Sequence, residues 1–401
     1  MRVGAVRGVL ALSSAVVLGL AGCAQTSSER AGDDTGLRIV EQVRIDQNGN
    51  QVVPGATTAP PPAAPGGDGD AVCPPLSLAT TATLSGPDAA LGIGIRNGIQ
   101  LAVDEHNSAN PGCQIQLKTF DTEGNADKAR ADAQQIVEDA FTLGVIGPAF
   151  STEVLDTGDI FDAAGMVAAT ASATAVALAD QGWGTFFRGL ANDAVQGMAV
   201  ANYMKRQLGS TSVCVLDDGT DYGTGLAEAV RQTLGAATDP ACSIALDPGD
   251  PAATVSTLEE RSPDAVFFGG YHAQSAALVR ALRDGGVDAA FVSADGSKDR
   301  EFVAAAGEAA RDAVLSCSCA PDNPEFVAAY TEKFGEPPGT FSAGGYDLGT
   351  ILLNGIDSGA RTRPALLDYV RNYSGQGLER QYQWAENGEL TSTLIWIYKV
   401  Q

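Results

Sequence analysis

Apolar and amphipathic segments alternate along most of the chain, and the alternation has two runs. The first run predicts strands at 76–83, 114–120, 144–147 and 166–170, with helices at 94–107, 125–140 and 151–163. The second run predicts strands at 212–216, 243–246, 265–268 and 290–292, with helices at 194–207, 226–234, 254–261 and 273–284. Apolar strands that alternate with helices are typical of parallel sheets covered on both faces. The pattern therefore predicts an α/β protein with two doubly wound parallel-sheet lobes.

The first 23 residues have the pattern of a bacterial secretion signal. Arg2 and Arg7 precede an apolar run at 9–20, which is too short to span a bilayer. Residues 20–23 read Leu-Ala-Gly-Cys and resemble a lipobox, in which the cysteine is acylated and becomes the new N-terminus. We therefore expect a signal peptide at 1–22 and lipidation of Cys23. Acyl chains contribute about 0.8 kcal/mol per buried methylene, so we expect a lipoprotein on the outer face of the cytoplasmic membrane.

Residues 23–72 differ from the rest of the chain in composition, because Ser, Asp, Gly, Pro and Thr predominate. The stretch 59–67 is rich in proline, which favours an extended and water-exposed chain. Residues 37–53 alternate apolar and polar positions around Asn48 and Gly49, as a small hairpin would. Because no core is visible for such a hairpin to join, we predict a disordered tether between the membrane and the folded domain.

The charge balance excludes several classes of function. The chain has 49 Asp and Glu against 25 Lys and Arg, so its net charge is −24. Such a polyanion is repelled by nucleic acid and by anionic lipid, so we expect no nucleic-acid partner and membrane contact only through the lipid anchor. With only His106 and His272 present, a histidine-based metal site or a Ser-His-Asp triad is hard to build. We predict no enzyme activity, no metal and no cofactor.

Two glycine-rich stretches were considered as nucleotide sites. Residues 92–98 have G-x-G-x-x-x-G spacing, which is one residue longer than a dinucleotide-binding fingerprint and lacks the later acidic residue. Residues 221–225 lack the Lys-Ser/Thr pair of a phosphate-binding loop. We therefore predict that neither stretch binds a nucleotide.

Six cysteines remain after Cys23, an even number for a protein exported to an oxidising compartment. Cys73 and Cys113 precede two strands that we expect to be neighbours, so we predict a bridge between them. Cys214 lies in a strand of the second run and Cys242 begins the next one, which predicts a second bridge. The pair Cys317 and Cys319 is left open between a strained bridge and two free thiols.

Polar side chains follow the strands at the edge where an open parallel sheet binds its ligands. In the first run, Ser151 opens a helix after one strand, and Ser172, Ala173 and Thr174 follow the next. A serine hydroxyl together with helix N-terminal amides can bind a carboxylate. In the second run, the corresponding positions hold Tyr222, Tyr271 and Asp295. These residues predict a cleft that binds a small polar molecule.

A set of short motifs occurs in the order known from one protein family. The set comprises 98–107 (GIQLAVDEHN), 145–147 with Ser151, 171–174 (ASAT), 187–188 with 192–193 and 196–197, 217–218 with 222–227, and 269–271 (GGY). From about residue 76 to the C-terminus, the chain resembles type I periplasmic solute-binding proteins of the leucine/isoleucine/valine-binding group, which supply ABC importers. Each motif alone is weak, but the ordered set is specific.

The resemblance implies a three-segment hinge between the lobes, with crossings near Leu190, Cys319 and Glu389. Lobe 1 would comprise 73–190 and 320–388, and lobe 2 would comprise 191–319 and 389–401. Asp295 occupies the position of the family's acid that receives the ligand's ammonium group, although the family acid is often Glu. Leu91 stands where several relatives carry an aromatic residue over the ligand side chain.

The resemblance also implies a function without catalysis. We expect a monomer that captures an amino acid, branched-chain or otherwise apolar, between the lobes and delivers it to ABC permease subunits. An amide, urea or aromatic acid as ligand is an alternative within the same fold. A sensory receptor domain that signals through a membrane partner is a second alternative.

Overall fold

The structure is a computed structural model that describes residues 36–53, 60–246, 251–391 and 393–401. The predicted signal peptide at 1–22 and the predicted lipidation site Cys23 lie outside the described residues, so both remain predictions.

The described strands alternate with helices over most of the chain. The strands, in chain order, are β1 Ile39–Ile45, β2 Leu76–Ala82, β3 Ile115–Asp121, β4 Thr142–Ile146, β5 Val167–Thr170, β6 Phe186–Arg188, β7 Val213–Asp217, β8 Ala265–Gly269, β9 Ala290–Ser293, β10 Val314–Cys317, β11 Gly375–Gln376, β12 Gln381–Tyr382 and β13 Ile395–Val400. The α-helices, in chain order, are α1 Ala89–Ala109, α2 Ala126–Glu138, α3 Ser151–Ala163, α4 Asp193–Tyr203, α5 Asp221–Leu234, α6 Pro251–Arg261, α7 His272–Asp284, α8 Arg300–Ala306, α9 Pro324–Phe334, α10 Ser342–Asp357 and α11 Arg363–Arg371.

Two separate sheets form the centres of the two predicted lobes. Lobe 1 has a five-stranded sheet in the order β3-β2-β4-β5-β6, in which all neighbours are parallel. Lobe 2 has a six-stranded sheet in the order β1-β13-β10-β9-β8-β7. The strands β7 to β10 are parallel, while β13 and β1 are added antiparallel at one side. Strand β2 is buried along its whole length, as a central parallel strand with helices on both faces should be.

After β2, the chain passes between the two sheets at three places. It leaves lobe 1 between β6 and α4, returns between β10 and α9, and enters lobe 2 again between β12 and β13. Helices α9, α10 and α11 therefore belong to lobe 1, where α10 packs against α1 and α11 contacts β4 and β5.

Glycines of α1 allow the close contact with α10. A Cβ atom at Gly98 would lie 2.0 Å from the carbonyl oxygen of Ser342, and one at Gly94 would lie 2.9 Å from the Ser342 hydroxyl. A Cβ atom at Gly92 would lie 2.0 Å from the carbonyl oxygen of Thr83. Close packing of α1 against α10 and against the chain just after β2 thus accounts for the three glycines of the G-x-G-x-x-x-G spacing.

The prediction that residues 23–72 form a disordered tether was wrong for much of the described part. Residues 39–45 form β1, which pairs with β13, and Ile45 is 1% exposed within the core of lobe 2. The turn after β1 includes the predicted Asn48 and Gly49. The core that the segment joins was invisible because β13, its partner, had not been predicted as a strand.

The predicted strand at 243–246 was also wrong. Only an isolated bridge joins Ala245 to Asp217, and the amide of Val215 donates to the Ser243 hydroxyl at 3.0 Å. A side-chain oxygen thus takes the hydrogen bond that a neighbouring strand's carbonyl would accept, so no ladder forms.

The structure contains three disulfide bridges among its described cysteines. Cys73–Cys113 and Cys214–Cys242 have the predicted partners, with Cα atoms 4.6 Å and 5.2 Å apart. Cys317 and Cys319, which sequence reasoning left open, are also joined.

Candidate ligand-binding cleft

The predicted site residues lie at the carboxyl ends of strands in both lobes. Ser151 opens α3 after β4, and Tyr222 lies in the first turn of α5 after β7. The two edges meet, because the Thr152 hydroxyl donates to the Asp221 carboxylate at 2.8 Å. The rings of Phe150 and Tyr271 also meet edge-on across the cleft, with centroids 4.9 Å apart.

Ser151 is 1% exposed, and its hydroxyl has an incomplete set of hydrogen bonds. The Ser151 oxygen accepts from the amides of Thr174 at 3.2 Å and Ala175 at 3.1 Å. No acceptor for the hydroxyl proton is found in the part of the chain that the structure describes. The proton is therefore available to an acceptor on a ligand, such as a carboxylate oxygen.

The three residues after β5 have different surroundings. The Ser172 hydroxyl donates to the carbonyl of Ala149 at 2.6 Å, so it is already used within lobe 1. The carbonyl of Ala173 accepts from Arg188 at 3.0 Å. The Thr174 hydroxyl oxygen is buried without a hydrogen-bond partner among the described residues. The Thr174 side chain nevertheless lies near the Asp193 carboxylate, whose pKa it lowers, so it borders the acidic part of the cleft.

Asp295 and Tyr222 form a short hydrogen bond in lobe 2. The Tyr222 hydroxyl donates to Asp295 Oδ1 at 2.6 Å and accepts from the amide of Gly296 at 3.1 Å. Ser318 lies 3.4 Å from the other oxygen, Oδ2. Burial raises the pKa of Asp295, and burial together with the Asp295 charge raises the pKa of Tyr222 well above its ordinary value.

Tyr271 and Leu91 occupy different environments. The Tyr271 ring lies between Phe150 and Tyr222, with its centroid 5.2 Å from that of Tyr222. These aromatic rings form a wall beside the Asp295 carboxylate. Leu91 is half-buried in α1 and packs against the apolar core.

Asp193 is a site residue that sequence reasoning did not assign. It begins α4 at the first crossing between the lobes, and its amide donates to the carbonyl of Thr174 at 2.9 Å. Asp193 is fully buried, and neither carboxylate oxygen has a hydrogen-bond partner in the described structure. Burial and the nearby charge of Asp295 raise the pKa of Asp193 well above its ordinary value. The only sequence signal was its place in the family motif 192–193.

The arginine nearest to this acidic pair is held by other groups. Arg188 is fully buried and donates to the carbonyls of Ala173 and Ala175, both at 3.0 Å. It also forms an ion pair with Glu389 at 2.9 Å. The site therefore holds two buried carboxylates, Asp193 and Asp295, without a cation bound directly to either within the described residues.

Such an arrangement favours a ligand with both charges. A desolvated carboxylate gains a charge-assisted hydrogen bond from an ammonium group, and the Ser151 hydroxyl can donate to an anion. Within the described residues, the one group of three side chains close enough together to hold a metal ion is His106, Cys113 and Asp357. The Cys113 sulfur of this group is already bonded to Cys73.

The sequence profile of the family described as periplasmic binding protein matches residues 75–401. The chain belongs to this family. It is a solute-binding protein with the type I periplasmic-binding-protein fold rather than an enzyme. The matched region begins just before β2, so β1 and the segment after it lie outside the family match.

Curated relatives include the leucine-, isoleucine-, valine-, threonine- and alanine-binding protein of Pseudomonas aeruginosa, which is 28% identical over 72% of this chain and 80% of its own. The Leu/Ile/Val-binding protein BraC3 of Rhizobium johnstonii is 28% identical over 81% of this chain and 91% of its own. Among solved structures, the branched-chain amino acid transporter substrate binding protein LivJ of Streptococcus pneumoniae, in complex with isoleucine, is 26% identical with a TM-score of 0.74. That similarity covers 80% of this chain and 95% of LivJ.

None of the helices in the described ranges combines the length and the apolar character needed to cross a membrane.

Proposed function

We propose that the protein captures an amino acid between its two lobes and delivers it to an ABC permease at the outer face of the cytoplasmic membrane. A lipid on Cys23 would hold it there. The names of the relatives support branched-chain amino acids as the first ligands to test.

The observation that carries this proposal is a pair of buried carboxylates that no cation contacts directly within the described residues, in the same cleft as the available hydroxyl proton of Ser151. Asp193 and Asp295 can receive an ammonium group, and Ser151 can donate to a carboxylate. These are the two charged groups that every α-amino acid carries. An uncharged ligand would leave the Asp193 oxygens desolvated without a partner, which costs free energy.

Asp295→Asn tests the ammonium-binding role because it removes the charge and keeps the size. Removal of one partner of a buried charge pair costs about 2–5 kcal/mol, or roughly 30- to 4,000-fold in affinity. We expect calorimetric titration with the best-binding amino acid to show a loss of this order. The melting midpoint of the ligand-free protein should change little.

Asp180→Asn is the matched control, because Asp180 is exposed on lobe 1 and the substitution removes the same charge. It should leave the affinity unchanged. A loss below about threefold for Asp295→Asn would contradict the ammonium-binding role and favour an uncharged amide as ligand, because Asn still accepts a hydrogen bond.

The lipid anchor has a separate test. Cells that express the full chain can be labelled with a radioactive fatty acid, and we expect label in the wild type and none in Cys23→Ala. Label that persists in Cys23→Ala would contradict lipidation at Cys23.

A further inference from the structure

A cavity of about 320 Å³ lies beside the aromatic wall of the cleft, and we call it the rim cavity. Its lining includes Asp88, Phe150, Glu153, Tyr271 and Gln274. Phe150 and Glu153 belong to lobe 1, while Tyr271 and Gln274 belong to lobe 2. The rim cavity is thus bounded by both lobes, and its lining residue Tyr271 packs against Tyr222, whose hydroxyl donates to the Asp295 carboxylate.

Glu153 is the unusual residue of the rim cavity. It is 2% exposed, and neither carboxylate oxygen completes a hydrogen bond within the described chain, although the Thr122 hydroxyl and the Phe150 amide lie near enough to lower its pKa. Burial, with Asp121 and Asp132 nearby, raises the pKa of Glu153 to about 7. Glu153 lies two residues after Ser151 in the first turn of α3, so the helix that offers a donor to the cleft also directs this acid into the cavity.

The other unpartnered atoms of the rim cavity are acceptors as well. Asp88 Oδ1 and Gln274 Oε1 are buried without a hydrogen-bond partner in the described structure. His272 Nδ1 lies 4.0 Å from Asp88 Oδ1, which is too far for a hydrogen bond. Glu123 also lines the cavity, but it is exposed and pairs with Lys128 at 2.5 Å. The residues that line the cavity include no Lys or Arg.

We propose that the rim cavity is a second cation subsite of the ligand cleft, so that the protein takes amino acids whose side chain ends in an amine or guanidine group. This inference rests on the proposed function, since it places the ligand's α-ammonium group at Asp193 and Asp295. An ammonium or guanidinium group has several donors and no acceptor, which complements the oxygens of Glu153, Asp88 and Gln274. An apolar side chain in the same place would leave these oxygens desolvated and unpaired.

An organic cation fits the rim cavity better than a metal ion. The described residues hold no group of three possible metal ligands at this cavity, since the group that does occur, at His106, lies elsewhere. A metal ion requires its ligand oxygens around one point, whereas a flexible amine side chain can bond to acceptors that are farther apart.

The experiment is calorimetric titration of the wild-type chain with L-leucine, L-lysine, L-ornithine and L-arginine. We expect at least one of the three basic amino acids to bind. Glu153→Gln should weaken the binding of that basic amino acid by about 30-fold or more, while any binding of leucine changes by less than about threefold. Glu332→Gln is the matched control, because Glu332 is exposed on α9, and it should change neither affinity.

The outcomes separate this inference from the proposed function. If leucine binds and the basic amino acids do not, the cation subsite is wrong and the amino-acid cleft stands. If a basic amino acid binds equally well to wild type and Glu153→Gln, the assignment of Glu153 is overturned. If no amino acid binds, the proposed function fails, and titration with 1,4-diaminobutane decides the subsite by whether Glu153→Gln abolishes binding. Asp88→Asn provides a second variant if Glu153→Gln does not fold, and it should weaken the same ligand selectively.

Discussion

Glu153 opposes folding at neutral pH, because burial disfavours its charged form more than the nearby Thr122 hydroxyl and Phe150 amide favour it. Its ordinary pKa of 4.5 is raised by burial to about 7. Between these two pH values the unfolded chain releases the proton while the folded protein keeps it. The stability that this group contributes is therefore fully present below about pH 4.5 and is lost as the pH rises through about 7. The difference corresponds to about 3 kcal/mol.

We expect Glu153→Gln to stabilise the ligand-free protein at pH 8 more than at pH 5, since an amide cannot ionise. Denaturant unfolding at the two pH values measures the difference, which should approach about 3 kcal/mol in the free energy of unfolding. Part of the wild-type pH dependence should remain, because burial also raises the pKa of Asp347 to about 7. Glu332→Gln should keep the wild-type dependence. The same free-energy gain from Glu153→Gln at both pH values would contradict the shifted pKa.

Candidate site residues could be proposed from the sequence where their position along the chain was sufficient. Ser151, Tyr222 and Asp295 follow strands, and a strand end is visible in the apolar pattern. Asp193 and Glu153 were missed because their chemistry depends on burial, which the sequence does not show. An acidic side chain in the first turn of a helix is ordinarily exposed to water, and its charge interacts favourably with the helix dipole. Glu153 has that position in α3 and yet is buried where it lines the rim cavity.

The close contact between helices α1 and α10 can be tested by adding one methyl group to α1. Gly98→Ala would favour an isolated helix by about 1 kcal/mol. In the structure, however, the new Cβ atom would lie 2.0 Å from the backbone oxygen of Ser342, so the helices must move apart. We expect a net loss of roughly 1–3 kcal/mol in the free energy of unfolding, because backbone cannot rotate away as a side chain can.

Gly225→Ala is the control for Gly98→Ala. Gly225 is also within a helix, and its nearest neighbour to an added Cβ atom is Asp193 Oδ2 at 3.9 Å, an ordinary contact. Denaturant unfolding should show unchanged or increased stability for this variant. Equal effects of the two substitutions would refute the packing argument for residues 92–98.

Substitutions in β1 can test whether the N-terminal segment is a tether or contributes to the fold. Ile45 is 1% exposed and Val40, in the same strand, is 41% exposed. Ile45→Ala should cost about 2–4 kcal/mol of stability by leaving a cavity in lobe 2, and Val40→Ala should cost less than about 0.5 kcal/mol. Thermal unfolding of both variants provides the measurement. A tether would tolerate either change, so a silent Ile45→Ala would show that β1 does not contribute to the fold.

The elements that could be predicted were those with long periodic patterns. Helix α3 begins and ends at the predicted residues, 151 and 163, because a clear apolar face lies between two strands. Strands β1 and β13 were not predicted, since they come from opposite ends of the chain and each is stabilised by the other. A sequence read locally cannot show a pairing of that separation.

At the scale of the whole molecule, the N-terminal segment joins both lobes. Strand β1 belongs to the sheet of lobe 2, whereas the amide of Ala63 donates to the carbonyl of Gln376 in lobe 1 at 2.8 Å. Asn110 donates to the carbonyl of Gly66 at 3.0 Å, and Cys73 is bonded to Cys113. The chain therefore connects the lobes once before the three later crossings, which adds a covalent link between the two lobes.

The closed cleft has an electrostatic cost when no ligand is bound. Asp193 and Asp295 are both fully withdrawn from water and lie close enough for the charge of Asp295 to raise the pKa of Asp193. Separation of the lobes would let water reach the carboxylates, so the open form should be favoured without ligand. An ammonium group offsets the cost and shifts the population toward closure, by as much as its affinity differs between the two forms.

Small-angle scattering can measure this balance. The wild type should contract when it is saturated with the amino acid found by titration, because the ligand contacts both lobes. Asp193→Asn removes one of the two opposing charges, and a gain of about 2 kcal/mol would favour the closed form roughly 30-fold. The ligand-free variant should therefore have a smaller radius of gyration than the ligand-free wild type, whereas Asp180→Asn, which removes an exposed charge, should match the wild type.

A wild type that does not contract would contradict closure itself. A contracting wild type with an equally open Asp193→Asn would instead show that the buried acids do not set the balance between open and closed forms.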